Sequence, residues 1–321
     1  MKFVPIGQMS ASIIGLGTWQ IGTNSWGWGV DFGPTDVEKI LDAALDSGIN
    51  LIDTAELYGQ GESERQLGIY LADGGRDVLV ASKVSPWHLN ETGVYEAATR
   101  SLERMQRPFI DLYQVHVPNP LMPIRKTMAG MRRLLSENRV REIGVSNFSL
   151  NRWKQAEIAL GAPIVANQVE YSLLFPNTFH ALRSMLDHNH VIIAYSPLAM
   201  GLLSGKYNGD AKPSGARSTH PAFSRRNYQN VRRVLEVVEK VAKAHSALIS
   251  QIALAWVISH PNVIAIPGAK SVEQVRQNAA AVDIQLTLSE IADLTEVSNA
   301  YKTALHVPRV FEAFKWLFSR N

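Results

Sequence analysis

Asn50-Leu51-Ile52-Asp53-Thr54-Ala55-Glu56-Leu57-Tyr58-Gly59 reads as the end of a buried strand, a stop at Asp53, and the loop that the strand feeds. Gly59-Gln60-Gly61 then breaks the chain before a charged helix that starts near Ser63, since glycine punctuates regular structure. A carboxylate at a strand's end, with the phenol of Tyr58 five residues on, is a candidate proton-handling pair. Asp is also an ordinary turn residue at strand ends, so this one stretch does not decide between the two.

The same strand-then-helix unit recurs on both sides. Upstream, Ile13-Ile14-Gly15-Leu16-Gly17 precedes Pro34–Asp46, where Val37, Ile40, Leu41, Ala44 and Leu45 repeat at helical spacing and Gly48 supplies the stop. Downstream, Val78–Lys83 precedes Tyr95–Met105, Ile110–His116 precedes Ile124–Ser136, and Glu142–Ser146 precedes Asn151–Leu160. Val165–Val169 is followed by Thr178–Asp187, and Val191–Ser196 by two helices, Val231–His245 and Ser250–Ser259. Val263–Pro267 leads into Val272–Ala281. Eight such units without a linker predict a parallel sheet closed into a (β/α)₈ TIM barrel, one domain spanning residues 1–321. No G-x-G-x-x-G follows the first strand, which counts against the open dinucleotide-binding sheet.

Composition agrees with a globular enzyme. Of the 321 residues, 46% are hydrophobic and 19% charged, the balance of an ordinary folded domain. The net charge is only +3, and the basic doublets Arg132-Arg133, Arg225-Arg226 and Arg232-Arg233 are scattered as on solvated helix faces, so no nucleic-acid surface is read. The absence of cysteine excludes disulfides, thiolate metal sites and a cysteine nucleophile. No signal-like leader or stretch of about 20 apolar residues stands out, so a cytoplasmic protein is expected.

A barrel directs attention to the C-terminal ends of its strands, where such folds do their chemistry. Those ends read Gly17-Thr18-Trp19, Asp53, Lys83, His116, Ser146-Asn147, Gln168, Tyr195-Ser196-Pro197 and Pro267-Gly268-Ala269-Lys270. Lys83 ends the run Val78-Leu79-Val80-Ala81-Ser82 and is costly to bury unless a group such as Asp53 pairs with it. Four titratable residues stopping strands at one rim point to a site.

Asp53-Thr54-Ala55 with Tyr58-Gly59, Ser82-Lys83, Gln114-Val115-His116 and Ile143-Gly144-Val145-Ser146-Asn147-Phe148 resemble the aldo-keto reductase superfamily in order and spacing. Tyr195-Ser196-Pro197-Leu198, Gly205-Lys206-Tyr207 and Ile266-Pro267-Gly268-Ala269-Lys270, with Gln274 and Asn278, extend the likeness. It runs from about residue 10 to 300 and is similar to the bacterial branch related to potassium-channel β subunits. The resemblance implies NADPH-dependent reduction of a small aldehyde or ketone by a tetrad of Asp53, Tyr58, Lys83 and His116. In that reading Tyr58 gives the proton, Lys83 lowers its pKa, Asp53 holds Lys83, and His116 binds the carbonyl oxygen.

The resemblance also implies cofactor contacts. Ser146, Asn147 and Gln168 match the positions that hold the nicotinamide carboxamide, and Tyr195 the residue that stacks on its ring. Thr18, Trp19, Ser196, Pro197, Leu198, Gly201 and Gly268 fall on the same strand-end loops. Lys206 and Arg217 match pyrophosphate contacts within a lid-like segment, residues 201–230. Lys270 and Ser271 open the last barrel helix, where free N–H groups favour an anion, and match the 2′-phosphate site. Gln274 and Asn278 match adenine-side contacts, although Gln277 replaces the Glu that many relatives carry.

The substrate side is thinner. Trp19, Trp26, Trp28 and Trp87 lie on two rim loops, as an aromatic wall or as packing for those loops. Val117 replaces a Trp common after the histidine in relatives. His188-x-His190 has no third ligand candidate, so no metal site is read. Phe311, Phe314 and Phe318, in the extension 300–321, share a helical face suited to docking on the barrel or to an oligomer contact. Two other functions compete: an NADPH-binding redox sensor or channel regulatory subunit with little turnover, and a Schiff-base aldolase using Lys83.

Overall fold

The computed structural model describes residues 1–72, 77–187, 189–207, 213, 215–218 and 221–302. Two short strands, β1 (Phe3–Ile6) and β2 (Met9–Ser12), pair antiparallel as a hairpin. The chain continues through β3 (Leu16–Gly17), α1 (Pro34–Asp46), β4 (Leu51–Asp53), α2 (Glu62–Leu71), β5 (Leu79–Val84) and α3 (Glu91–Met105). Next come β6 (Ile110–Val115), α4 (Ile124–Ser136), β7 (Val140–Ser146), α5 (Leu150–Leu160), β8 (Ala166–Glu170) and α6 (Asn177–Leu182). β9 (Val191–Tyr195) leads to α7 (Arg225–Ala244) and α8 (Ile249–Ile258), and β10 (Val263–Ile266) to α9 (Val272–Ala279) and α10 (Leu288–Ala300).

Strands β3 to β10 are parallel, and each pairs with its neighbours in chain order. The ends of the sheet meet where the Gly15 N–H donates to the Ala265 carbonyl (2.8 Å), the Ala265 N–H to Ile13 (2.9 Å) and the Gly17 N–H to Pro267 (3.1 Å). The fold is a (β/α)₈ barrel. Successive strand residues face opposite sides, which divides the core in two. Ile52, Val80, Tyr113, Val169 and Ile192 pack outward under the helices. Leu51, Leu79, Ala81, Leu112, Ala166, Ile193 and Ile264 fill the interior, together with Val4, Ile6 and Ala11 of the hairpin, which closes the N-terminal end.

Several elements differ from the sequence reading. Helix α7 begins six residues before Val231, because the Ser224 side chain caps it by accepting from the Asn227 N–H at 3.3 Å. The helix read over Thr178–Asp187 stops at Leu182 and continues as one 3₁₀ turn, Arg183–Met185. The hairpin and α10, which opens on a Thr287–Glu290 capping box, had no predicted counterpart. His188, Phe311, Phe314 and Phe318 lie outside the described residues, as does part of the 201–230 segment. No single helix among the described residues is long and apolar enough to cross a membrane.

Candidate active site

Strand parity builds the site. Asp53 is in phase with Leu51, Lys83 with Leu79 and Ala81, Gln114 with Leu112, and Gln168 with Ala166, all interior positions. Just above the apolar filling, these four polar side chains form a layer that only mutual pairing can make tolerable. The Asp53 carboxylate is at its centre. Oδ1 accepts from Lys83 Nζ at 2.5 Å, and Oδ2 accepts from Gln168 Nε2 at 2.7 Å and Gln114 Nε2 at 3.3 Å. Gly144 makes room for Gln114: a Cβ there would stand 2.9 Å from Gln114 Cγ.

Lys83 is fully buried and spends its remaining donors on the Thr54 carbonyl (2.9 Å) and the Tyr58 hydroxyl (3.0 Å). Tyr58 is 8% exposed, and its ring meets the His116 ring edge-on with centroids 5.7 Å apart. The His116 ring is half-buried, with Nδ1 enclosed and without a hydrogen-bond partner. Thr18 ties the first two rim loops together. Its hydroxyl donates to the Asp53 carbonyl (2.8 Å) and lies 2.7 Å from Ser63 Oγ, which accepts from Thr54 Oγ1 at 2.8 Å. The structure therefore brings Asp53, Tyr58, Lys83 and His116 together. It adds Gln114, Thr54 and Ser63, which the sequence reading had not assigned to the site; for Gln114 the signal was its phase with Leu112 and His116.

One expectation needs correcting. The Tyr58 pKa is raised well above the ordinary phenol value, not lowered, first because burial penalises the phenolate and second because Asp53 is negative. Lys83 cannot reverse this on its own, since its charge is already neutralised by the carboxylate at 2.5 Å. Burial lowers the Lys83 pKa, opposed by Asp53 and then by Glu64. Burial, followed by repulsion from Lys83, holds His116 well below the ordinary imidazole range. At neutral pH the phenol is protonated and the imidazole uncharged.

The expected cofactor positions lie around this centre. Ser146 is buried and pairs in register with Gln168, while Asn147, at φ 60, donates to Ser146 Oγ (3.0 Å) and accepts from the Tyr195 hydroxyl (3.1 Å). Ser196 (φ 48) and Gly201 (φ 96) shape the loop through Pro197 and Leu198. Arg217 donates to the Met200 carbonyl at 2.7 Å. Burial, then the charges of Arg217 and Lys270, lower the pKa of Lys206, so the three cations act on one another. Ser271 caps α9 by accepting from the Gln274 N–H, and Gln274 Oε1 accepts from the Lys270 N–H at 2.8 Å. Asn278 is 6% exposed within α9, and Gly268 lies at the seam beside Gln20. Three mutually interacting cations, with Lys270 beside a helix start, suit a ligand with several phosphates, and amides and hydroxyls beside Tyr58 suit a carboxamide; the donor set fits a nicotinamide dinucleotide.

The aldo/keto reductase family model matches residues 13–299. The chain belongs to the aldo/keto reductase family. It is 43% identical over 298 residues to an uncharacterized oxidoreductase of Mycobacterium tuberculosis, covering 92% of each chain. It is 32% identical over 330 residues to the NADH-specific methylglyoxal reductase of Escherichia coli, covering 94% of this chain and 99% of that one. Among solved structures, an aldo-keto reductase from Klebsiella pneumoniae in complex with NADPH superposes with a TM-score of 0.74 at 30% identity, over 94% of this chain and 95% of the other.

In this aldo/keto reductase the rim tryptophans take different places. The Trp19 ring is 6.5 Å from Tyr58 and packs edge-on against Trp26 at 5.0 Å. Trp26 is 7% exposed with the Arg217 guanidinium 4.5 Å from its ring centre, and Trp28 packs edge-on against Phe32 at 5.4 Å. Trp87 stands 48% exposed on the loop after β5, and Val117 is half-buried beside His116. His190, the described half of the H-x-H, sits 2.8 Å from both Asp187 and Glu157; among the described residues no group of three or more His, Asp or Glu side chains is arranged to hold a metal ion.

Proposed function

We propose that this aldo/keto reductase reduces aldehydes or ketones to alcohols, with hydride from NADPH and a proton from Tyr58. The observation that carries the reading is the unbroken contact from Asp53 through Lys83 to the Tyr58 hydroxyl, with His116 facing the same ring. The nicotinamide supplies the hydride when bound. Tyr58 keeps its proton until a strongly basic alkoxide oxygen forms, which a raised pKa permits. The phenolate then left behind lies 3.0 Å from the Lys83 ammonium, and Asp53 keeps that ammonium charged despite its burial. A neutral His116 can donate a hydrogen bond to the carbonyl oxygen without adding a charge.

Gln168 commits its amide nitrogen to Asp53 and can offer its carbonyl oxygen to the carboxamide NH₂, beside Ser146 and Asn147. Lys206 and Arg217 would face the pyrophosphate, Tyr195 the nicotinamide ring, Lys270 and Ser271 the 2′-phosphate, and Gln274 and Asn278 the adenine side. Trp19, beside Tyr58, would wall the substrate mouth, with Trp87 and Val117 further out.

The test is oxidation of NADPH, with NADH alongside, against a panel of aromatic aldehydes, aliphatic aldehydes and small 2-oxoaldehydes. Tyr58→Phe should lower kcat by roughly 10²–10⁴-fold while leaving cofactor affinity nearly unchanged. Near-wild-type turnover by that variant would remove the proton-donor role. Cofactor binding without turnover across the whole panel would replace catalysis by a sensing or regulatory function.

A further inference from the structure

Lys270 is not an isolated cation. Its ammonium pairs with Asp31, Nζ to Oδ2 at 3.3 Å, across 239 residues of sequence. Asp31 belongs to the loop between β3 and α1, and that loop is wound to place it. The Asp31 N–H donates to the Gly27 carbonyl at 2.7 Å, and the Gly29 N–H donates to Phe32 at 2.9 Å. Gly27 has φ 89, and a Cβ there would fall 2.1 Å from Asp31 Oδ2, so only glycine admits this arrangement. Beneath the pair, Phe32 is 6% exposed, with Lys270 Nζ 5.6 Å from its ring centre. Asp31 also acts on the charge of Arg217. One carboxylate thus sits among the cations expected to receive phosphate.

We propose that Asp31 is a cofactor-specificity residue, which balances Lys270 and lets the site accept a dinucleotide bearing either a 2′-hydroxyl or a 2′-phosphate. The inference rests on the nicotinamide-reductase reading above. A phosphate monoester with close to two negative charges must take Lys270 from Asp31 and then lie beside that carboxylate. A 2′-hydroxyl does neither, and it can donate to a carboxylate oxygen as ribose hydroxyls do to acidic residues elsewhere. Asp31 is 60% exposed on its side chain, so water and salt screen its charge and its influence is a few-fold.

The experiment is equilibrium titration of NADPH and of NADH, followed by reduced-nicotinamide fluorescence without substrate. It compares the wild type, Asp31→Asn, Asp31→Ser and Lys270→Ala, with circular dichroism to verify folding. Both Asp31 variants should tighten NADPH by roughly two- to fivefold, with NADH unchanged or weakened, and the gain should shrink in high salt. An equal change for the two cofactors, or none, overturns the proposal. Lys270→Ala should weaken NADPH far more than NADH. If it weakens both equally, or if the wild type binds neither, the cofactor-site reading has failed and the role of Asp31 falls with it.

Discussion

The Asp53–Lys83 pair is a charge pair deep in a protein core, and its residues answer to two demands at once. Each charge alone would be intolerable there, so removing one partner is expected to cost about 3–5 kcal/mol. Lys83→Met and Asp53→Asn should each lower the urea midpoint accordingly. The double variant, with no charge left unpaired, should be more stable than the sum of the two losses predicts, yet inactive. Additive losses would show that the pair is not energetically coupled. His116 offers a pH test. Its folded-state pKa lies well below the ordinary imidazole value, so the unfolded chain binds a proton that the native protein refuses. Stability should therefore fall as pH drops through about 6.5, with a slope of at most about 1.4 kcal/mol per pH unit. His116→Phe should flatten that acid limb in denaturant titrations between roughly pH 5 and 7; an unchanged slope would place the lost protons elsewhere. At this scale Asp53, Lys83 and His116 were legible only together. An Asp ending one strand has an ordinary turn reading, but a Lys ending an apolar run needs a partner, and several titratable groups stopping strands at one rim point to a site. The direction of the Tyr58 shift was not legible. It depends on how far burial outweighs an ammonium already neutralised by Asp53, which only coordinates reveal.

Among the elements, strand register matters more than strand content. Lys83 pairs with Gln114, Gln114 with Gly144, and Ser146 with Gln168, so the polar layer is a row of in-phase residues on adjacent strands. A one-residue slip would send the whole row to the helix side. Gly144→Ala tests the row, because its Cβ would press on Gln114 Cγ, with the Ala166 carbonyl and Leu112 Cδ1 both 3.3 Å away. Overpacking there should cost about 1–3 kcal/mol and pull Gln114 off Asp53. Adding Gln114→Ala should recover part of the thermal stability; no recovery would mean that the strain is against the backbone. Apolar runs and helical periodicity made the eight units readable, since strands buried on both faces leave unbroken apolar stretches. The hairpin was missed because Phe3–Ile6 and Met9–Ser12 are short and mixed in character, and the early start of α7 because its first turn is polar and depends on a serine cap.

Across the whole molecule, the apolar closure of the barrel and the candidate site sit at opposite ends. Val4, Ile6 and Ala11 close the base of the barrel, while Asp53, Tyr58, Lys83 and His116 occupy the rim. Ile6→Ala should cost about 2–5 kcal/mol and lower the melting temperature, with kcat/KM unaltered well below the transition. A matching loss of activity at low temperature would show that the base communicates with the rim. The barrel seam has a further consequence for the order of events during synthesis. Asp53, Tyr58, Lys83 and His116 have all been made by residue 116, but the hydrogen bonds that close the cylinder join Ile13, Gly15 and Gly17 to Ala265 and Pro267. A chain emerging from the ribosome therefore carries these four side chains beside an open, unpaired sheet edge while roughly 150 further residues are made. That edge invites association with other chains, and such distant closure is slow. The growing polypeptide needs shelter longest at the first barrel strand, β3, and the arrival of β10 releases it.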